Sequence, residues 1–114
     1  MTLKNKQIFQ HHAAICKTLS NPLRLEILSL LRDGKKSVNE IVILTELRQA
    51  TVSQHLAILR QTGVVSTQRE GINVYYSVAN PKINQACDLI SEVLIERIAG
   101  MNEITQEEGV RIHT

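Results

Sequence analysis

A mainly α chain carrying one β-hairpin is what this sequence predicts, and three observations predict it. Apolar residues recur at helical spacing through most of the 114 residues. One stretch, "VVSTQREGINVYYSV" (residues 64–78), switches instead to alternation on either side of a glycine turn. Hydrophobic residues make up 43 % of the chain and aromatics only 3 %, so the core is aliphatic.

Taken in order, the first helix is predicted from about Lys4 to Leu19, with Ile8, His12, Ile15, Cys16 and Leu19 on one stripe. "SNP" (residues 20–22) breaks it. Asn21 is a favourable N-cap and Pro22 fits the first helical position, so a second helix starts there. Leu23, Ile27, Leu30 and Leu31 form its inward face, and Gly34 stops it. The third helix opens on "SVNE", where Ser37 and Glu40 have the spacing of a capping box. Val38, Ile41 and Leu44 are expected to point inward.

The turn "TELR" leads into a fourth helix, about Gln49 to Thr62, whose N-cap is poor by propensity. In the hairpin, Val65, Thr67 and Arg69 share one face. Glu70-Gly71 turns the chain, and Val74, Tyr76 and Val78 return it. Pro81 opens a fifth helix with Ile83, Cys87, Ile90, Leu94 and Met101 on its apolar stripe, widened by Ala86, Leu89, Val93 and Ile98. Residues 1–101 read as one domain and 102–114 as a polar, acidic tail that frays. Two helices joined by a tight turn and followed directly by a hairpin describe a winged helix-turn-helix with five helices.

The bulk numbers narrow the function. A chain this short buries a modest core, and oligomerisation is a natural way to bury more. The longest apolar run, "IVIL" (residues 41–44), is far below the ~20 residues of a membrane helix. The opening "MTLKNKQIFQHH" has no signal-peptide segment, which predicts a soluble, cytoplasmic protein. Cys16 and Cys87 are too few and too far apart for a secreted disulfide framework. Net charge is +2, unevenly spread. Residues 1–82 carry 11 Lys and Arg against 5 Asp and Glu, whereas residues 83–114 carry 2 against 6. The basic part suits a polyanionic partner, although a solvated basic surface has the same composition.

The fourth helix holds the most informative pattern. At 100° per residue, Val52, Leu56 and Leu59 fall on one side and Ala50, Gln54, Ala57 and Gln61 on the other. Thr51, Ser53 and His55 flank the polar face, with Arg48 and Gln49 at its N-terminal tip. A recognition helix presents its N-terminal residues to base edges in the major groove. Gln pairs with adenine, Ser and Thr with several acceptors, and Ala admits a thymine methyl. No acidic residue occurs from Leu47 through Arg69, as a phosphate-facing surface requires. Thr51, Ser53 and Gln54 are therefore candidate base readers. Arg48, Gln49, His55 and Arg69 are candidate phosphate contacts. Gln68, Arg69 and Asn73 near the hairpin tip reach an adjacent backbone or minor groove. His55 flanks the packing side and suits a phosphate donor or an internal hydrogen-bonder. An ordinary polar helix face is the bland alternative, and a winged helix that binds protein is the rival of another class. No nucleophile elbow, glycine-rich phosphate loop or paired carboxylates appear, so an enzyme is not expected.

"LSNPLRLEILSLL" (residues 19–31), "ATVSQHLAILRQTGVV" (50–65) and "REGINVYYSV" (69–78) together resemble the ArsR/SmtB family of repressors. The resemblance implies homodimers paired through the first and fifth helices, which bind inverted-repeat DNA and are released by an inducer such as a metal ion, arsenite or a thiol oxidant. It also implies metal sites that this chain lacks. Ser37, Val38 and Asn39 stand where one site has Cys-x-Cys, and Asn80, Lys82, Val93 and Glu96 stand where another has Asp, His or Glu. Neither zinc site nor any cofactor is expected. Sulfide-responsive relatives carry a cysteine where this chain has Ser29. For His12, Cys16 and Cys87 three readings stay open. The first is packing, the second a thiol or sulfur sensor using Cys16 and Cys87, and the third a thiophilic metal joined by His11 or His113. The inducer is left unnamed.

Overall fold

The computed structural model describes residues 5–108, with side chains for residues 5–101. Lys4, the expected first residue of the opening helix, and His113 lie outside the described residues. Five helices and a small sheet follow one another as α1 (Asn5–Leu19), α2 (Pro22–Leu30), β1 (Lys36–Ser37), α3 (Val38–Thr45), α4 (Gln49–Gln61), β2 (Val65–Glu70), β3 (Asn73–Val78) and α5 (Pro81–Glu108). A 3-10 turn, Leu31–Asp33, closes α2.

Local chemistry explains the boundaries. The Asn21 side chain accepts from the backbone amides of Leu23 (2.9 Å) and Arg24 (3.2 Å), with Pro22 at the first helical position. At α3 the Ser37 hydroxyl accepts from the Glu40 amide while the Glu40 carboxylate accepts from the Ser37 amide, so the capping box closes both ways. The helix ends at Glu46, whose backbone is left-handed at φ 59°. Thr45 assists that turn, donating to the Ile41 carbonyl at 2.7 Å and accepting from the Leu47 amide at 3.3 Å. α4 starts without a side-chain cap, as its sequence predicts.

The hairpin differs from expectation in two ways. Glu70 pairs with Asn73, so the two-residue turn is Gly71-Ile72 rather than Glu70-Gly71, and Gly71 takes the positive φ of 63° that it requires. A third strand joins the sheet. Lys36 and Ser37 pair antiparallel with Tyr76 and Tyr75, giving the order β1-β3-β2. Two residues have no periodicity to read, which is why β1 was invisible in the sequence.

Residues up to Pro81 and those from Lys82 onward form two separate compact units. The core of the first is Ile27, Leu28 and Leu31 of the α2 region, Ile41 of α3, Val52, Leu56 and Leu59 of α4, and Val64 and Val65 at the wing. Leu44 is not in it. It is 53 % exposed, because the inward stripe of α3 runs through Val38, Ile41, Val42 and Thr45 rather than ending at residue 44. Leu28, absent from the expected face of α2, is buried.

On α1 only Thr18 is buried, and His12, Ile15 and Cys16 of the expected stripe are exposed. In the second unit α5 continues past Met101 to Glu108, beyond its expected end. Leu89, Ile90, Val93, Leu94, Ile98 and Met101 remain exposed along it. Among the described residues no helix is long and apolar enough to cross a membrane.

The position of α3's stripe is testable by truncation. Leu56→Ala should lower the unfolding free energy by ~2–5 kcal/mol, the usual cost of emptying a fully buried leucine site. Leu44→Ala should change it by about 0.5 kcal/mol or less. Urea denaturation followed by circular dichroism measures both, and a large loss at Leu44 would restore it to the core.

Candidate functional site

The exposed edge of α4 is set by what its other side buries. Val52, Leu56 and Leu59 have no accessible surface. Helical geometry then turns Gln49, Ala50, Ser53, Gln54, Ala57 and Gln61 outward, and all are exposed. Thr51 and His55 are half-buried at the flanks, and Arg48 is exposed at the tip. Arg48 offers no side-chain acceptor to the helix start, and the first turn carries no acidic residue. That end of the helix dipole therefore suits an incoming phosphate.

The wing extends this surface. Gln68, Arg69 and Asn73 are exposed near its tip, and Ile72 at the turn is 95 % exposed. Glu70 introduces a negative charge there. Lys35 answers it with an ion pair and also stands 5.1 Å from the centre of the Tyr75 ring. Lys35 thus holds β2 and β3 from the segment just before β1. Nothing in the sequence pattern singles it out, because its partners are distant along the chain.

His55 does not join the outward edge fully. Its Nδ1 accepts from Arg24 Nε at 3.3 Å, while Arg24 Nη1 donates to the Thr18 carbonyl at 3.2 Å. Burial, and secondarily the Arg24 charge, push the imidazole below its ordinary pKa. Arg24 was not singled out in the sequence.

Of the sensor candidates, Cys16 is exposed on α1 and Cys87 half-buried on α5. Among the described residues no three His, Cys, Asp or Glu side chains gather closely enough to hold a metal.

The sequence profile described as "Bacterial regulatory protein, arsR family" matches residues 21–67, which run from the α2 cap into the wing. Transcriptional repressor PagR of Bacillus anthracis is 37 % identical over 82 residues, covering 71 % of this chain and 82 % of PagR. The chain belongs to the ArsR family. Its members are DNA-binding transcriptional regulators, and this chain is one rather than an enzyme. Transcriptional activator HlyU of Vibrio cholerae is 37 % identical over 76 residues, 67 % of this chain and 70 % of HlyU. In three dimensions the homodimeric winged helix-turn-helix domain of Mb0332 from Mycobacterium bovis matches with a TM-score of 0.77 at 30 % identity, covering 84 % of this chain and 89 % of that one. The two-helix-plus-wing architecture is therefore that of the ArsR winged helix, with β1 as its third strand.

The Lys35 contacts make a prediction about the wing. Both partners of the ion pair are substantially exposed, so Lys35→Ala should alter global stability by about 1 kcal/mol or less. Amide exchange at residues 70–73 should nevertheless accelerate, as read by nuclear magnetic resonance. Unchanged protection there would show that the pair does not restrain the wing.

Proposed function

We propose that this chain is a repressor that binds an inverted-repeat operator as a homodimer. Each copy lays α4 in the major groove of one half-site and its wing along the adjacent backbone. The observation that carries this reading is the acid-free edge of α4, exposed from Arg48 to Gln61 while the opposite side is fully buried. Thr51, Ser53 and Gln54 read bases. Arg48, Gln49 and Arg69 hold phosphates, and Gln68 and Asn73 contact the wing-side backbone or minor groove. The two half-sites lie about one helical turn, ~34 Å, or a multiple apart.

Repression is adopted over activation because PagR, 37 % identical over 82 residues, is a repressor, although HlyU is an activator. Dimerisation draws support from the uncovered apolar stripes of α1 and α5 and from the homodimeric Mb0332 domain. Release by an inducer acting at Cys16 and Cys87, as a thiol reaction or as a metal bound together with His12, completes the reading.

Binding to a duplex selected from a random-sequence library tests the reading. Gln54→Ala should weaken binding to the selected duplex by ~1–3 kcal/mol and binding to random duplex hardly at all. Equal losses on both would remove Gln54 from base reading. Arg69→Ala should weaken binding to every sequence and reduce the slope of log affinity against log salt by about 1. A wild-type slope in that variant contradicts the phosphate contact. A wild-type chain that ignores every duplex at low salt overturns the whole proposal.

A further inference from the structure

Arg24 lies off the recognition edge, yet its side chain joins three helices. It departs from the first turn of α2, whose backbone Asn21 fixes by capping the Leu23 and Arg24 amides. From there Nη1 reaches the Thr18 carbonyl of α1 and Nε reaches His55 Nδ1 of α4. The first contact follows from helix chemistry. Carbonyls in the last turn of a helix lack intrahelical partners, and a cation meets the negative end of the dipole there. Thr18 itself is buried and donates to the Ala14 carbonyl at 2.9 Å, so the end of α1 is a firm anchor.

The second contact constrains His55. A guanidinium has donors and no acceptor, so the Nδ1 facing it must be the unprotonated nitrogen and the ring must be neutral with its proton on Nε2. A protonated imidazole would set donor against donor and cation against cation. α1 meets this group through the uncharged Thr18 carbonyl. Of the elements packed on α4, α2 also carries Glu26, α3 carries Glu40 and β2 carries Arg69 and Glu70, and none of these is the charge that shifts His55. Arg24 is the charged group that does.

We propose that Arg24 is a positioning residue for DNA recognition, tying α4 through neutral His55 to the end of α1, so that His55 serves this tie and not a phosphate. The inference rests on α4 as the reading helix. Of the two roles the sequence allows His55, a phosphate contact or an internal hydrogen bond, it takes the second, and it gives the sign of a pH effect. A histidine held below its ordinary pKa keeps its contribution above that ordinary range and loses it as pH falls through the lowered value. A tied His55 therefore weakens selective DNA binding on acidification. A phosphate-contacting His55 would strengthen it, because the protonated ring adds a positive charge.

The test compares wild type with His55→Gln and Arg24→Met by fluorescence anisotropy, on the selected duplex and on random duplex, between about pH 5.5 and 7.5. Glutamine at residue 55 still accepts from Arg24 but does not titrate. Wild-type affinity for the selected duplex should fall relative to His55→Gln at the acid end, a comparison that cancels His11 and His12. At neutral pH, Arg24→Met should bind the selected duplex about tenfold more weakly and random duplex within about twofold, the loss of one charge-assisted hydrogen bond. Wild-type affinity that rises on acidification relative to His55→Gln, or curves that superpose, would overturn the proposal. Should Arg24→Met fail to fold, the wild-type and His55→Gln pair still decides. Nuclear magnetic resonance of the free protein separates this failure from failure of the DNA reading. The His55 proton should sit on Nε2 whether or not any duplex binds, and a proton on Nδ1 at neutral pH disproves the tie.

Discussion

A helix cannot bury one face without committing the opposite one, and the surface of this domain depends on that constraint at α4. Val52, Leu56 and Leu59 are fully buried in the core that also holds Ile27 and Ile41. Burying an aliphatic side chain of this size is worth about 1.5–3 kcal/mol. Rolling α4 by a single residue, 100°, would expose that group and bring polar side chains inward. The direction of Ser53 and Gln54 is therefore fixed by apolar packing before any DNA is present. In the proposed complex, preorganisation of this kind would let an edge of short side chains read bases without first losing conformational freedom.

The same economy joins the wing to the helix pair. Ser37 pairs with Tyr75 as part of β1, and its hydroxyl and amide also close the capping box of α3. One residue thus fixes both the sheet edge and the start of the helix-turn-helix. A two-stranded hairpin is marginal alone, and the added strand with Lys35 beside it gives the wing a fixed base. The Lys35 contact with Glu70 also offsets a negative charge near the wing tip. Arg69, two residues from the turn, is left as the net charge at that end of β2.

Signals confined to a few neighbouring residues were legible in the sequence. The Asn21-Pro22 start, the Ser37–Glu40 box and the α4 wheel each depend on contacts within one helical turn, and the structure holds all three. The α3 stripe was misread at Leu44 because two helical turns admit both an i+3 and an i+4 continuation. The choice fell to Thr45, whose hydroxyl turns back to Ile41. The wing turn was displaced by one residue because Glu70-Gly71 and Gly71-Ile72 both place a glycine where φ becomes positive. Arg24, Lys35 and β1 escaped for a different reason. The pairings of Arg24 with His55, of Lys35 with Glu70 and of β1 with β3 each span more than thirty residues, and no local periodicity records a pairing made only by the tertiary fold.

The recognition edge also bears on why one copy would not suffice. In the proposed complex Thr51, Ser53 and Gln54 would offer a few base contacts, of which only that of Gln54 can be bidentate, and a good bidentate pair is worth about 1–3 kcal/mol of discrimination. Selective regulators hold their sites about 4–10 kcal/mol more tightly than random DNA. A single edge of three short side chains reaches only the lower part of that range. Two joined edges double the base contacts and make the second binding event intramolecular, which multiplies affinity without new chemistry. In the proposed dimer the apolar stripes on α1 and α5 supply the joining surface, and the modest chemistry of α4 makes that surface necessary for selectivity.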